Sequence, residues 1–107
     1  MIIDINEMLL FFDTLLPATE EEQGIYWLAT KREDGFHITF VFSIYENYVT
    51  IIIKNESELC IASMSLKNCT QIKILDQNKK CLEIVDVNGK RRCFLSLLGD
   101  SILDYND

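Results

Sequence analysis

With 107 residues, 49% apolar and 25% charged, the chain has the composition of a single globular domain spanning 1–107, and disorder is excluded. One proline and four glycines leave no linker or low-complexity tract. Seventeen acidic against ten basic side chains give a net charge of −7, a field that repels nucleic-acid phosphates and anionic membrane and favours basic partners, or else simply keeps a small domain soluble.

The first element is predicted to be a helix. Asp4 stands at its N-cap, Glu7 three residues later completes a capping box, and Ile3 and Met8 fit a hydrophobic staple. Ile5, Met8, Leu9, Phe12, Leu15 and Leu16 recur at the spacing of one helical face, and Pro17 is the expected stop. Leu10 and Phe11 widen that stripe, so the helix needs a sheet or another chain to cover it. Glu20, Glu21 and Glu22 follow as a solvated acidic loop.

From there the period changes to two. Residues 25–30 read as an aromatic-rich strand, and Arg32-Glu33-Asp34-Gly35 as a turn. Phe36, Ile38, Phe40, Phe42 and Ile44 then alternate with mixed residues, as in a half-buried antiparallel strand. Beyond the Glu46-Asn47 turn, Val49, Ile51 and Ile53 continue the inward face. Further strands are predicted at 59–66, with Cys60, Ala62, Met64 and Leu66 on one side, and at 70–75, 81–87 and 91–98. Asn88-Gly89 is a hairpin signal between the last two. The acidic tail with Asp100, Asp104 and Asp107 is expected to dock partly through Ile102, Leu103 and Tyr105. The fold class is therefore α+β, mostly β: an N-terminal helix and an antiparallel meander of about seven strands, as a curled sheet or small sandwich, with a partly closed barrel as the rival.

Little in the chain points to catalysis, and it is not expected to be an enzyme. His37 is the one proton shuttle for neutral pH, and nothing in the spacing of Ser43 or Glu46 makes them converge on it. Glu56 and Glu58 flank a turn, where carboxylates face solvent. Cys60, Cys69, Cys81 and Cys93 form no CxxC pair and read as free thiols, with Cys60, Cys81 and Cys93 acting as small hydrophobes in apolar segments. No calcium loop is present, and no metal or other cofactor is expected. Lys79-Lys80 and Lys90-Arg91-Arg92 sit at turns bounding opposite ends of one strand, in a field of the wrong sign for nucleic acid. Met1-Ile2-Ile3-Asp4 lacks a basic leader and the apolar stretch after it is broken by charge, so a cytoplasmic location without membrane contact is expected.

What remains is an acidic surface with aromatics. Tyr26, Trp27, Tyr45 and Tyr48 belong to neighbouring strands, with Trp27 assigned first to packing in a second layer and Tyr45 and Tyr48 flanking a turn suited to a protein interface. A single acidic domain of this size, helix first and β-meander after, resembles the bacterial immunity proteins of polymorphic toxin systems, such as contact-dependent growth inhibition. Lys67-Asn68-Cys69 to Asp76, and the run from Cys93 to Leu103, contribute to that resemblance. It lies in whole-chain character, and no residue roles are carried over. The resemblance implies one-to-one binding of a basic toxin domain, often a nuclease, with acidic side chains covering its phosphate-binding surface. Candidate contacts are Glu20, Glu21, Glu22, Glu33, Asp34, Tyr45, Glu46, Tyr48, Asp100 and Asp104. Two alternatives stay open: a small-ligand carrier with a pocket lined by Phe36, Phe40, Phe42, Ile51, Ile53 and Met64, and a subunit of a larger assembly joined through the apolar helix. Self-association is left undecided.

Overall fold

The computed structural model describes every residue except Asn88, Lys90, Arg91 and Asp107, and the backbone alone of Arg92 and Asn106. Those residues hold part of the predicted Asn88-Gly89 turn, most of the second basic cluster and the last acidic residue of the tail, which therefore lie outside the description.

The chain begins with helix α1 (Ile5–Phe11), capped as expected by the Asp4 carboxylate, which accepts from the Glu7 N–H at 3.1 Å. It is shorter than the apolar spacing predicts. Phe12 is already extended, at φ −99° and ψ 141°, and its ring stacks on Phe40 at 5.2 Å. Thr14–Leu15 then forms a short strand, β1, against the free edge of the next strand. Burial of Phe12 and pairing of this segment outweigh continued helix, so Pro17 is not the stop. Leu9 and Leu15 consequently lie exposed, outside the stripe expected of them, and Leu10 beside it is exposed as well. Seven residues are too few for an isolated helix. The far end of α1 is held by Lys80, whose ammonium donates to the carbonyls of Leu10 (2.9 Å) and Phe11 (3.3 Å) and stands 5.6 Å from the centre of the Phe11 ring.

Eight more strands follow: β2 (Ile25–Lys31), β3 (His37–Ser43), β4 (Tyr48–Lys54), β5 (Cys60–Leu66), β6 (Cys69–Asp76), β7 (Cys81–Asp86), β8 (Arg92–Ser96) and β9 (Leu103–Asn106). All pair antiparallel with their sequence neighbours, except at one point. After β5 the chain turns at Lys67-Asn68, with Asn68 at φ 57°, and starts a second sheet. The result is a two-layer sandwich of five strands (β1-β2-β3-β4-β5) and four (β6-β7-β8-β9), neither a single curled sheet nor a closed barrel. The strands beyond the predicted seven are the short β1 and the docked tail, β9.

Register decides which side chains meet. The cross-strand rows Tyr26–Phe42–Val49–Leu66, Leu28–Phe40–Ile51–Met64 and Thr30–Ile38–Ile53–Ala62 face inward. Opposite them lie Ile72, Leu82, Ile84, Cys93 and Leu95 of the second sheet, with Met8, Phe11 and Phe12 filling the remaining side. Leu28 opposite Phe40 fixes the parity of β2, so Tyr26 is the inward aromatic, stacked on Phe42 at 5.2 Å. Trp27 pairs with Val41 on the outer face, half-buried, rather than packing in the core. Cys60 also departs from expectation: it is exposed on β5 near a bulge, where register slips between Ile53 and Lys54.

At one end the layers are tied by Arg32, which is 4% exposed. Its Nε donates to both Asp34 carboxylate oxygens at 3.2 and 3.1 Å, and Nη1 and Nη2 donate to the carbonyls of Ser96, the last residue of β8, and of Gly99 just after that strand. Hydrogen bonds from Arg32, aided by the Phe36 N–H, hold the Asp34 carboxyl below its usual range. Replacing Arg32 with Met leaves those carbonyls without this donor and the Asp34 carboxylate without its ion pair, and we expect it to lower stability by about 2–4 kcal/mol in urea unfolding. A depressed folded pKa means that the Asp34 contribution is complete above the unfolded value of about 4 and is lost as pH falls through the folded one. Wild type should therefore lose more stability over that acid range than Asp34→Asn does.

Burial pushes the Cys69 and Cys93 thiols up to about 11, helped at Cys69 by the Asp86 charge and at Cys93 by Cys69 and Asp104. A thiol reagent at pH 8 should label exposed Cys60 in the native protein and reach Cys69 and Cys93 only after unfolding, as read by mass spectrometry of digested protein.

Candidate protein-binding site

The approach to β2 and the β3–β4 turn lie at the same end of the large sheet. Glu20 exchanges backbone hydrogen bonds with Ile25 at 2.8 and 3.1 Å, and a short 3-10 turn (Glu21–Gln23) carries the chain into β2. Gly24 closes this turn at φ +69°, where a Cβ would come within 2.9 Å of the Tyr45 ring. Its carbonyl accepts from the Ile44 N–H at 2.9 Å. The β3–β4 turn is equally fixed: the buried Ser43 hydroxyl accepts from the Glu46 N–H at 3.1 Å, and Asn47 adopts φ 58°. Tyr45, 72% exposed, is thus held against Gly24, the residue that ends the turn carrying Glu21 and Glu22, and Glu46 follows it in the chain. Glu46 and Tyr48 also line a shallow hollow of about 310 Å³ with Thr50, Ser65, Leu66, Lys67 and Asn68.

The remaining candidates lie elsewhere. Glu33, Asp34 and Asp100 meet at the opposite end, around a hollow of about 240 Å³ beside Arg32 and Leu97. One carboxylate of this set, Asp34, is already ion-paired with Arg32 at 3.0 Å. Asp104 is exposed on β9, opposite Phe94. The ten candidates therefore form two groups separated by the length of the strands, with Asp104 apart. Their loop positions were legible in the sequence, but their grouping depends on which turns share an end.

One feature of the surface has no motif in the sequence to mark it. The sandwich is open where the edge strand β5 approaches β7 and β8, along a cleft of about 570 Å³. Ser65, Leu66, Lys67 and Asn68 form one lip, and Ile84, Cys93, Asp86, Val87 and Tyr105 the other. Ser65 to Asn68 border both this cleft and the hollow under Glu46 and Tyr48. The available signal was the absence of charge in Cys60–Leu66, which alternation alone does not reveal.

His37 borders a hollow of about 380 Å³ with Asp13, Thr39, Lys31, Lys54 and Glu58, and neither Ser43 nor Glu46 is among the residues that line it. His37 stands at the start of β3, in an outer-face row with Lys31 and Lys54, while Ser43 lies at the other end of the same strand. Glu56 lies against Gly35, and Glu58 sits in a left-handed turn conformation at φ 62°. Among the described residues no group of three His, Cys, Asp or Glu side chains is placed to hold a metal ion. Phe40, Phe42 and Ile51 are fully buried in inter-sheet packing, and the hollows described above are lined by other residues, so the apolar strand faces fill the core rather than a ligand pocket. No described helix is long and apolar enough to cross a membrane.

No family model matches the chain, and no curated protein does. Among solved structures, the fold matches a chain of a contact-dependent growth inhibition toxin–immunity protein complex from Klebsiella pneumoniae 342, with a TM-score of 0.71 and 16% identity over 94% of this chain and 89% of that one. The two-layer architecture derived above is thus the fold of a chain from a toxin–immunity complex, and the resemblance seen in the sequence holds at the level of the backbone.

Proposed function

We propose that this chain is the immunity member of a contact-dependent growth inhibition pair, binding its cognate toxin domain and neutralising it. The observation that carries the reading is the fold match over nearly the whole chain. Of the two roles in such a pair, the inhibitor fits better. The chain is acidic at −7, and its one histidine lies at the opposite end of β3 from Ser43. The toxin would be basic, as a nuclease with a phosphate-binding cleft is, and binding would be one-to-one in the cytoplasm. The surface held by Glu20, Glu21, Glu22, Tyr45, Glu46 and Tyr48 is the favoured contact. It combines exposed carboxylates with a fixed exposed ring, a composition suited to steering and then anchoring a basic partner. Glu33, Asp34 and Asp100 form the second candidate area, weakened by the commitment of Asp34 to Arg32.

Co-expression tests the reading. The C-terminal domain encoded by the reading frame immediately upstream should arrest growth alone and be harmless with this chain, and the two should co-purify. A harmless neighbour that does not co-purify would overturn the proposal. The triple variant Glu20→Lys/Glu21→Lys/Glu46→Lys should slow association about tenfold or more at low salt and flatten its salt dependence. The pair Glu33→Lys/Asp100→Lys should do less. Stopped-flow association with both variants equal to wild type would remove the electrostatic part of the proposal.

A further inference from the structure

A two-layer sandwich has four sheet edges, and three of these are blunted. Strand β1 is two residues long. Strand β6 carries Lys73 and is partly covered by Ile2, whose N–H donates to the Thr70 carbonyl at 2.8 Å and whose carbonyl accepts from the Ile72 N–H at 3.0 Å. Strand β9 is four residues long and carries Asp104. Short length, charge and cover are the usual means by which sheets avoid pairing with other chains. The fourth edge has none of them. Strand β5 is seven residues, Cys-Ile-Ala-Ser-Met-Ser-Leu, without charge or proline, and Cys60 to Ser63 are all exposed. Its bulge distorts only the start, so Ala62 to Leu66 run in regular register with β4. In an antiparallel edge of this kind, alternate residues direct N–H and C=O groups away from the sheet.

The surroundings of β5 specify what would pair with it. Side chains of an added strand alternate between faces. On the inner side they would enter the cleft between Leu66, Cys93 and Tyr105, and on the outer side the hollow containing Glu46 and Tyr48. A carboxylate beside an aromatic ring suits a Lys or Arg side chain. Lys67, the residue that follows β5, already lines this hollow on its own chain, and a second copy of β5 brings no further basic residue within the strand. We infer that β5 is the docking edge for an extended segment of the toxin, which adds a sixth strand to the five-stranded sheet through Ala62–Leu66 and places a basic side chain over Glu46 and Tyr48. This inference rests on the immunity reading and names the contact through which it operates.

The test uses the full chain and the toxin domain encoded upstream. Hydrogen exchange of the Ala62–Leu66 amides should slow about tenfold or more in the complex. Ser63→Pro, which removes one edge donor, should weaken binding about tenfold or more by calorimetry. Should Ser63→Pro fail to fold by circular dichroism, Ser63→Lys/Ser65→Lys, with both side chains on the exposed outer face, serves in its place. Wild-type binding with unchanged exchange at Ala62–Leu66 and undiminished affinity in these variants overturns the edge assignment while leaving the immunity reading intact. Absence of wild-type binding and protection removes both. If the chain alone sediments as a dimer with these amides already protected, the edge belongs to a second copy and the inference is wrong.

Discussion

The arrangement of the two layers depends on one buried guanidinium. Arg32 leaves the large sheet at the β2–β3 turn and reaches the carbonyl of Ser96 at the end of β8 in the small one and that of Gly99 just after it, with Asp34 holding its Nε side. A charge is tolerated at that depth because its donors are directed at fixed acceptors and its countercharge sits two residues away. Fixing this corner sets how the sheets face one another. Across the sandwich the other corner is formed by Lys67-Asn68, the short crossing in which Asn68 takes a left-handed conformation and accepts at its carbonyl from the Val87 N–H at 2.8 Å. Between a guanidinium clasp and a two-residue crossing, little freedom remains except along the open β5 side.

Much of this was legible where local pattern and tertiary demand agree. The alternation from Phe36 to Ile53 predicts both strands and their inward face, and Ile38, Phe40, Phe42, Val49 and Ile51 are indeed buried. The Asp4 cap is visible because its signal lies within three residues. The reading fails where a distant partner decides. Phe12 fits a helical stripe, but its stacking partner Phe40 lies elsewhere in the chain. The run Ile25-Tyr26-Trp27-Leu28 is apolar at both parities, so only pairing with β3 tells Tyr26 from Trp27. Lys67-Asn68 reads as a turn, and nothing local says that the chain changes sheet there.

The candidate site divides the same way. Acidic residues at turns are expected to be exposed, and Glu20, Glu33, Glu46 and Asp100 are. Which of them share a surface follows from strand direction, since antiparallel neighbours return every second turn to the same end. The contact of Tyr45 with Gly24 joins residues from two turns and has no sequence signature beyond a glycine placed where a side chain would collide. Strand β5 alternates like a half-buried strand, but with no sixth strand beside it Cys60 to Ser63 remain exposed.

The grip of Lys80 on the end of α1 bears on the order in which a ribosome can build this protein. The ammonium that caps Leu10 and Phe11 lies about 70 positions downstream, so the nascent helix emerges without its cap. The hairpins of the large sheet involve neighbours in sequence and can pair as soon as they clear the exit tunnel. A seven-residue helix has no comparable independence. During synthesis α1 therefore waits as unstructured chain until the β6–β7 turn arrives, and an element translated ahead of both sheets is among the last to be completed.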